Sequence, residues 1–388
     1  PGVLAMAILA RRLGIQNLLV PVENAKEAAM LEGVNVYPIG NLVDAVEFLN
    51  SGNGIQKMPS VPFSIEPSSP HPIDFAEVKG QFHARRALEV AAAGGHNVLM
   101  IGPPGAGKTL LAQRIPTILP PLTFEESLES TKIYSITGML KDGGMLRTRP
   151  FRAPHHTVSY AGLVGGGTNP QPGEVSLAQH GVLFLDELPE FGKTILETLR
   201  QPLENGSIRI SRASGSVEFP CRFMLVAAMN PCPCGYYGSP DHSCRCAPMQ
   251  LQRYLTRISG PLLDRFDIQL DVPALKPQEL LAENFEAESS MQIRERVVSA
   301  RNVQLERYRK SRTFNNSQLP AKLIRQYCRL NSECLELMER AIRKFKLSAR
   351  AYHRILKVSR TIADLDKAPE ILPHHLSEAI QYRSLDQY

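Results

Sequence analysis

The sequence predicts an α/β fold, a mainly parallel sheet followed by an all-helical C-terminal unit. Three observations carry this. Between residues 73 and 272 short apolar runs alternate with helical stretches and glycine-rich loops, the pattern of a parallel sheet with crossover helices. One run, Asn97 to Ile101, feeds straight into a glycine-rich turn and then a helix. From Pro273 onward strand signals vanish and helical periodicity takes over.

The elements follow in order. Residues 1–53 read as a small α/β piece. An apolar helix from Pro1 to Leu13 is stopped by Gly14, and Asn17 to Val20 is a short strand. A helix follows from Glu23 to Glu32, a second strand from Val34 to Pro38 and a helix from Asn41 to Leu49. Pro1 lies inside the apolar run, so a piece of a longer protein is expected. Residues 54–72 carry Pro59, Pro62, Pro67, Pro70 and Pro72 among Gly and Ser, the composition of an extended linker. Residues 73–272 form the sheet unit, with strands at Asn97 to Ile101, Val182 to Leu185, Phe223 to Ala228 and Ile268 to Val272. Residues 273–388 read as five helices: Leu280 to Arg309, Ala321 to Leu330, Ser332 to Phe345, Ala349 to Leu365 and His374 to Tyr382.

At 388 residues the chain is long enough for two or three domains. Its 43% hydrophobic and 21% charged residues exclude global disorder. No stretch reaches the ~18 apolar residues of a membrane span, so no membrane partner is expected, and seven cysteines, four of them clustered, fit a reduced cytoplasmic protein better than a disulfide framework. The net charge of +6 is uneven, with 18 Lys or Arg against five Asp or Glu between Arg294 and Arg360. That excess fits either a phosphate-rich partner or a solvated charged face.

Gly102, Pro103, Pro104, Gly105, Ala106, Gly107, Lys108 and Thr109 match the P-loop pattern in full, between a strand and a helix. The glycines let successive N–H groups curl around a phosphate. Lys108 reaches the outer phosphates of ATP, and the Thr109 hydroxyl ligates Mg²⁺. The run Val182 to Leu185 ends in Asp186 and Glu187, one carboxylate to hold the magnesium and one to polarise water. The third strand ends in Asn230, which either positions the attacking water or simply caps the strand.

These three strands in this order resemble the AAA+ ATPases, with Val78 to Gln81 similar to that family's adenine-contacting segment and the helical unit similar to its lid. Arg257 to Asp267 (Arg-Ile-Ser-Gly-Pro-Leu-Leu-Asp-Arg-Phe-Asp) resembles the segment of magnesium chelatase and MCM-type subunits that ends in an arginine finger. Arg265 is the matching position, and it would act on the nucleotide of a neighbouring subunit; the alternative is an ion pair with Asp264 or Asp267. Ser348 to Arg354 resembles the second-sensor segment, which implies that Arg350 contacts the nucleotide of its own chain.

Further motifs narrow the resemblance to magnesium chelatase-like AAA+ ATPases of the ComM/YifB family. They are Arg152 to Thr157 (Arg-Ala-Pro-His-His-Thr), Gly165 to Thr168 (Gly-Gly-Gly-Thr), Pro172 to Glu174, Asn230 to Gly235 (Asn-Pro-Cys-Pro-Cys-Gly) and Ser348 to His353. Residues 1–50 resemble the end of a Lon-type protease domain, best at Val20 to Ala28. The segment that would carry that domain's catalytic lysine has none before Lys26, so no protease activity is expected.

Two candidate hairpins, Ser135 to Phe151 and Ser207 to Phe219, resemble pore hairpins of the MCM-containing clade. On this reading Lys141, Arg147, Arg209 and Arg212 grip DNA phosphates without reading sequence; alternatively the hairpins only shape a subunit interface. Cys232, Cys234, Cys244 and Cys246 form two close pairs with Gly235 at the first turn. They are candidate ligands for a structural Zn²⁺, with His242 a substitute ligand and four reduced thiols the alternative. The resemblance implies a hexameric ring that hydrolyses ATP and moves on DNA, in branch migration or unwinding during natural transformation and recombination. A chelatase-type or protein-remodelling motor is the rival.

Overall fold

The computed structural model describes residues 2–60, 73–140, 144–212, 215–239, 242–275, 287–311 and 313–383. Most of the linker, Lys141 and the expected start of the first C-terminal helix lie outside them, as does the Arg212 side chain.

The N-terminal unit pairs β1 (Asn17–Pro21) with β2 (Asn35–Ile39) in parallel, Asn17 opposite Asn35. The helices Val3–Arg12, Val22–Ala28 and Leu42–Ser51 accompany them. Leu4, Ala7, Ala28 and Leu31 are fully buried between these elements. The second helix ends four residues earlier than the sequence predicts, because Met30 to Gly33 form turns that lead into β2. Asn41 caps the third helix by accepting from the Asp44 N–H at 3.0 Å, and Gly52 ends it in the left-handed region at φ 70°. The unit is tied to the rest through Glu27, whose carboxylate accepts from the Leu4 N–H and the Ser135 hydroxyl.

The main sheet holds five parallel strands: β3 (Val98–Ile101), β4 (Phe151–Arg152), β7 (Val182–Leu185), β10 (Met224–Met229) and β11 (Ile268–Asp271). Their order is β11-β3-β10-β7-β4. Val226 sits opposite both Val98 and Phe184. The strands read as unbroken apolar runs because both faces are covered. Side chains alternate between two cores. Val98 and Met100 join Leu88, Leu111 and Ile115 on one face, while Leu99 joins Leu183, Leu185 and Phe266 on the other. The two-residue β4 gave no period to read. It is fixed by pairing Phe151 opposite Val182 and by packing Phe151 against Phe184.

Two small hairpins project from this unit. One pairs β5 (Gly165–Gly166) with β6 (Gln171–Pro172), and the other pairs β8 (Ser207–Arg212) with β9 (Gly215–Pro220). The second was expected. The first replaces the hairpin expected over 135–151. There the helix Phe124–Ile136 runs on under its Thr123–Glu126 capping box, and no strand pair forms among the described residues that follow. Arg149 is spent inside: it donates to the carbonyls of Pro120, Pro121 and His180 and to the Glu126 carboxylate.

The C-terminal helices are Ser290–Arg307, Ala321–Tyr327, Ser332–Phe345, Ala349–Leu365 and Pro373–Gln381. Ser289, Asn331 and Ser348 cap three of them. They are locked to the sheet unit by polar joints: Ser290 Oγ to Thr117 Oγ1 at 2.8 Å, and His96 Nε2 to Thr361 Oγ1 at 2.8 Å. These joints also absorb much of the positive excess. Arg301 donates to the Ala92 and Ala93 carbonyls, Arg307 and Arg360 pair with the buried Asp364, and Arg296 with Glu89 and Glu288. An unbroken basic face is therefore not what the charge excess builds. Among the described residues, no helix is long and apolar enough to cross a membrane.

Candidate active site

The adjacent strands β3, β10 and β7 deliver their C-terminal ends to one edge of the sheet, where Gly102, Asn230 and Asp186 follow them. Gly102 is packed so closely that an added Cβ would lie 2.1 Å from the Val272 carbonyl oxygen. Its N–H donates to the Met229 carbonyl at 3.2 Å, which pins the start of the loop to β10. Gly107 adopts φ 88° immediately before the helix Lys108–Ile118, a left-handed turn that aims the helix N-terminus at the loop.

Lys108 is buried, and its ammonium donates to the carbonyls of Gly102 at 2.7 Å and Pro103 at 2.8 Å and to Asn230 Oδ1 at 3.1 Å. Burial lowers its pKa, against the pull of Asp186 and Glu187. Thr109 Oγ1 donates to Asp186 Oδ2 at 2.6 Å, so the hydroxyl and carboxylate that would hold Mg²⁺ already stand together. The residues present fit a nucleotide phosphate with its magnesium: a left-handed glycine turn, a helix N-terminus, a buried ammonium and a paired hydroxyl and carboxylate. Gln81 Nε2 bonds the Ala106 carbonyl at 3.3 Å and the Pro273 carbonyl at 2.7 Å, fastening the Val78–Gln81 segment to the loop.

Glu187 occupies the left-handed region at φ 51°, and its N–H donates to Asp186 Oδ1 at 2.9 Å. This turn sends the two neighbouring carboxylates in different directions, with Glu187 mostly exposed. His156 Nδ1 lies 3.6 Å from Glu187 Oε2, and its ring packs on His155 at 4.0 Å. The adjacent histidines are expected from sequence to point in different directions and to contact neighbours near the nucleotide without a catalytic role, and His156 beside Glu187 fits that. Sequence reasoning had no means of finding Tyr254, whose hydroxyl donates to the Asn230 carbonyl at 3.1 Å from a distant helix.

Arg265 stands at the other end of β3. Its carbonyl accepts from Asn97 Nδ2 at 3.0 Å, and Asn97 precedes β3 while Gly102 follows it. Four strand residues, about 13 Å of chain, separate those ends. The Arg265 guanidinium is buried, bonded to the Pro261 carbonyl and paired with Glu204 rather than with Asp264 or Asp267. Among the described residues its Nε finds no partner. Burial lowers its pKa, Glu204 opposes this, and Arg200, Arg350 and Arg354 lower it further. Arg350 is exposed and stands one turn before Arg354, which donates to the Arg265 carbonyl at 3.2 Å. Its charge thus acts on Arg265.

Among the DNA candidates, Arg209 is exposed on the β8–β9 hairpin and pairs across the strands with Glu218 at 3.3 Å. Ile208, Ile210 and Phe219 bury the other face of that hairpin. Arg147 is exposed. The backbone of Arg212 ends β8 opposite Gly215, and Lys141 lies outside the described residues.

The four clustered cysteines converge. Cys232 Sγ lies 3.3 Å from Cys234 Sγ and 3.7 Å from Cys244 Sγ, and Cys234 to Cys244 is 3.6 Å. All four sulfurs, Cys246 included, fall within 4.8 Å of one another. A tetrahedral zinc with ~2.3 Å bonds needs sulfurs about 3.8 Å apart, so the set fits one ion. His242 packs its ring tilted against Tyr236, with centroids 4.8 Å apart, and is not part of the set. N–H donors of Arg245 and Tyr236 hold the Cys234 thiol down to about 6.

A glycine-rich phosphate turn, paired carboxylates and a polar strand end on three adjacent parallel strands, backed by a helical unit, define a P-loop ATPase of the AAA+ class. The comparisons place it further. Residues 74–280 match magnesium chelatase, subunit ChlI, and residues 287–383 match the C-terminal part of that subunit. The chain is 46% identical over 98% of its length to the competence protein ComM of Haemophilus influenzae, covering 74% of that protein. It is 43% identical over its full length to YifB of Escherichia coli, again covering 74%. A partial likeness, 29% identity over 175 residues, connects 42% of the chain to 31% of Lon protease 2 of Bacillus subtilis. The chain belongs to the magnesium chelatase-like AAA+ ATPases of the ComM/YifB family.

Proposed function

We propose that this chain is a cytoplasmic, ring-forming motor that hydrolyses ATP and moves on DNA, in branch migration or unwinding during natural transformation and recombination. One observation carries the ring: Lys108, Thr109 and Asp186 stand at one edge of the sheet and Arg265 at the other. An arginine held at the far end of β3 has no reach to its own P-loop, which supports the reading that a second subunit brings the two halves together. A hexamer closes such head-to-tail contacts.

When bound, ATP with Mg²⁺ supplies the phosphoryl group and the cation. The chain's own residues do the rest. Lys108 offers its ammonium to the phosphates, and Thr109 and Asp186 hold the cation. Glu187 accepts a proton from water that Asn230 orients, and Arg265 of the next subunit offsets developing charge. Arg350, whose segment resembles the second sensor, contacts the nucleotide from the helical unit and couples that unit to nucleotide state. The four thiols hold a structural zinc.

DNA as the track is supported by the kinship with a protein named for competence and by the exposed Arg209 on a projecting hairpin. Kinship with magnesium chelatase favours the second reading, a chelatase-type or protein-remodelling motor. ATP hydrolysis with and without forked or branched DNA, at several salt concentrations, separates them. Stimulation by DNA that fades with salt is expected. Good turnover indifferent to every DNA would replace the first reading by the second.

A further inference from the structure

We propose that the thiol knuckle is a metal-set support for the P-loop, so that zinc loading and nucleotide affinity depend on each other. The inference rests on the zinc reading above and adds to it a regulation of the nucleotide site.

The segment from Met229 to Gly235 touches the phosphate loop at three successive points. The Met229 carbonyl accepts from the Gly102 N–H at 3.2 Å. Asn230 Oδ1 accepts from the Lys108 ammonium at 3.1 Å. The Gly235 backbone lies against the Pro104 ring so tightly that a Cβ there would come 2.5 Å from Pro104 Cδ. Gly235 holds φ 87°, and its N–H closes a turn onto the Cys232 carbonyl at 3.0 Å.

Cys232 and Cys234 thus immediately precede Gly235, the point that presses on the P-loop. The other thiol pair lies ten and twelve residues beyond Cys234, with turns but no helix or strand among the described residues between them. One ion holding all four sulfurs would close that stretch and set the Gly235 surface against Pro104. Without it the knuckle is held by the Gly235 turn onto Cys232, by N–H donors to the Cys232 and Cys234 sulfurs and by one buried cysteine, Cys232, the other three thiols being half-buried. The contact is then free to fray, and with it the placement of Asn230 and Lys108. By linkage the coupling is reciprocal: nucleotide must tighten zinc by the factor by which zinc tightens nucleotide.

The test uses the full chain purified without chelator. Its metal is counted by mass spectrometry. Binding of fluorescent mant-ATP is measured in excess Mg²⁺ as purified, after stripping with a zinc-selective chelator, and after reloading. About one zinc per chain is expected. Stripping should weaken mant-ATP binding by about tenfold, and reloading should restore it. Gly235→Ala keeps every thiol. It should retain zinc and weaken mant-ATP binding comparably by displacing Pro104. In the unaltered chain, mant-ATP should raise zinc affinity in a chelator competition by the same factor.

No zinc in the purified chain, with mant-ATP binding unchanged in Cys246→Ser, overturns the zinc reading and the coupling together. Zinc present, with affinity unmoved by stripping and by Gly235→Ala, overturns the coupling alone. Should stripping unfold the chain, as circular dichroism would register, the chelator competition decides: zinc affinity indifferent to nucleotide overturns the coupling.

Discussion

Two neighbouring residues, Asp186 and Glu187, carry identical chemistry to different ends because one backbone angle separates them. Asp186 points back to Thr109 at 2.6 Å, while the left-handed turn at Glu187 frees its carboxylate toward open space and His156. Glu187→Gln should therefore bind ATP normally and lose turnover by about 10²- to 10⁴-fold; unchanged turnover removes Glu187 from the mechanism. Lys108→Ala should instead fail at binding. A buried ammonium on phosphate is worth ~1.5–3 kcal/mol, or about 10- to 100-fold in affinity, readable by mant-ATP titration. At this scale the sequence was informative where chain order fixes geometry. A glycine-rich turn between strand and helix has few ways to fold, so Lys108 and Thr109 were legible. Tyr254 was not, because it arrives from a helix whose approach is set by packing.

An element's orientation decides what its residues reach. β3 joins the two halves of the candidate site and holds them apart, with Asn97 bonding the Arg265 carbonyl at one end and the phosphate loop leaving the other. If Arg265 serves a neighbour, Arg265→Ala should cut turnover by about 10³-fold or more. Mixing it with Lys108→Ala should restore activity, because each variant supplies what the other lacks at alternate interfaces. Two inactive variants that stay inactive when mixed into rings would count against action in trans. The Glu204 ion pair is the feature that sequence could not foresee, since the helix Arg200–Asn205 that carries it has no motif. The hairpins teach the same lesson. Alternation between Ser207 and Phe219 was readable, whereas glycines at 138, 143 and 144 suggested a turn that no strands flank among the described residues. The actual first hairpin, β5 with β6, has two residues a side, too few for any period.

The whole molecule depends on how the helical unit is joined to the sheet, and Asp267 is the centre of that joint. It lies between Arg354 of the helical unit, buried His96 and the Asn97 N–H, with Lys357 also facing it. Burial would raise its pKa, but Arg354 and His96 more than offset this and hold it well below the usual carboxylate range. A carboxyl whose folded pKa is depressed adds stability that is present above its unfolded pKa, about 3.9, and is lost as pH falls below it. Asp267→Asn leaves Arg354 without its buried counterion and should cost about 3–5 kcal/mol at neutral pH. Urea unfolding of both chains from pH 7 down to pH 3 makes this measurable. The gap between them should be widest at neutral pH and narrow below about pH 4, because there Asp267 of the unfolded parent chain takes up a proton while the folded carboxylate stays ionised, which drains the stability that the substituted chain never had. A gap that stays constant through the acid range would show that the joint is held by packing of the Ala349–Leu365 helix and not by this charge. Nucleotide-driven tilting of the helical unit would then have to work against apolar contacts, which yield less readily than an ion pair to a local change in charge.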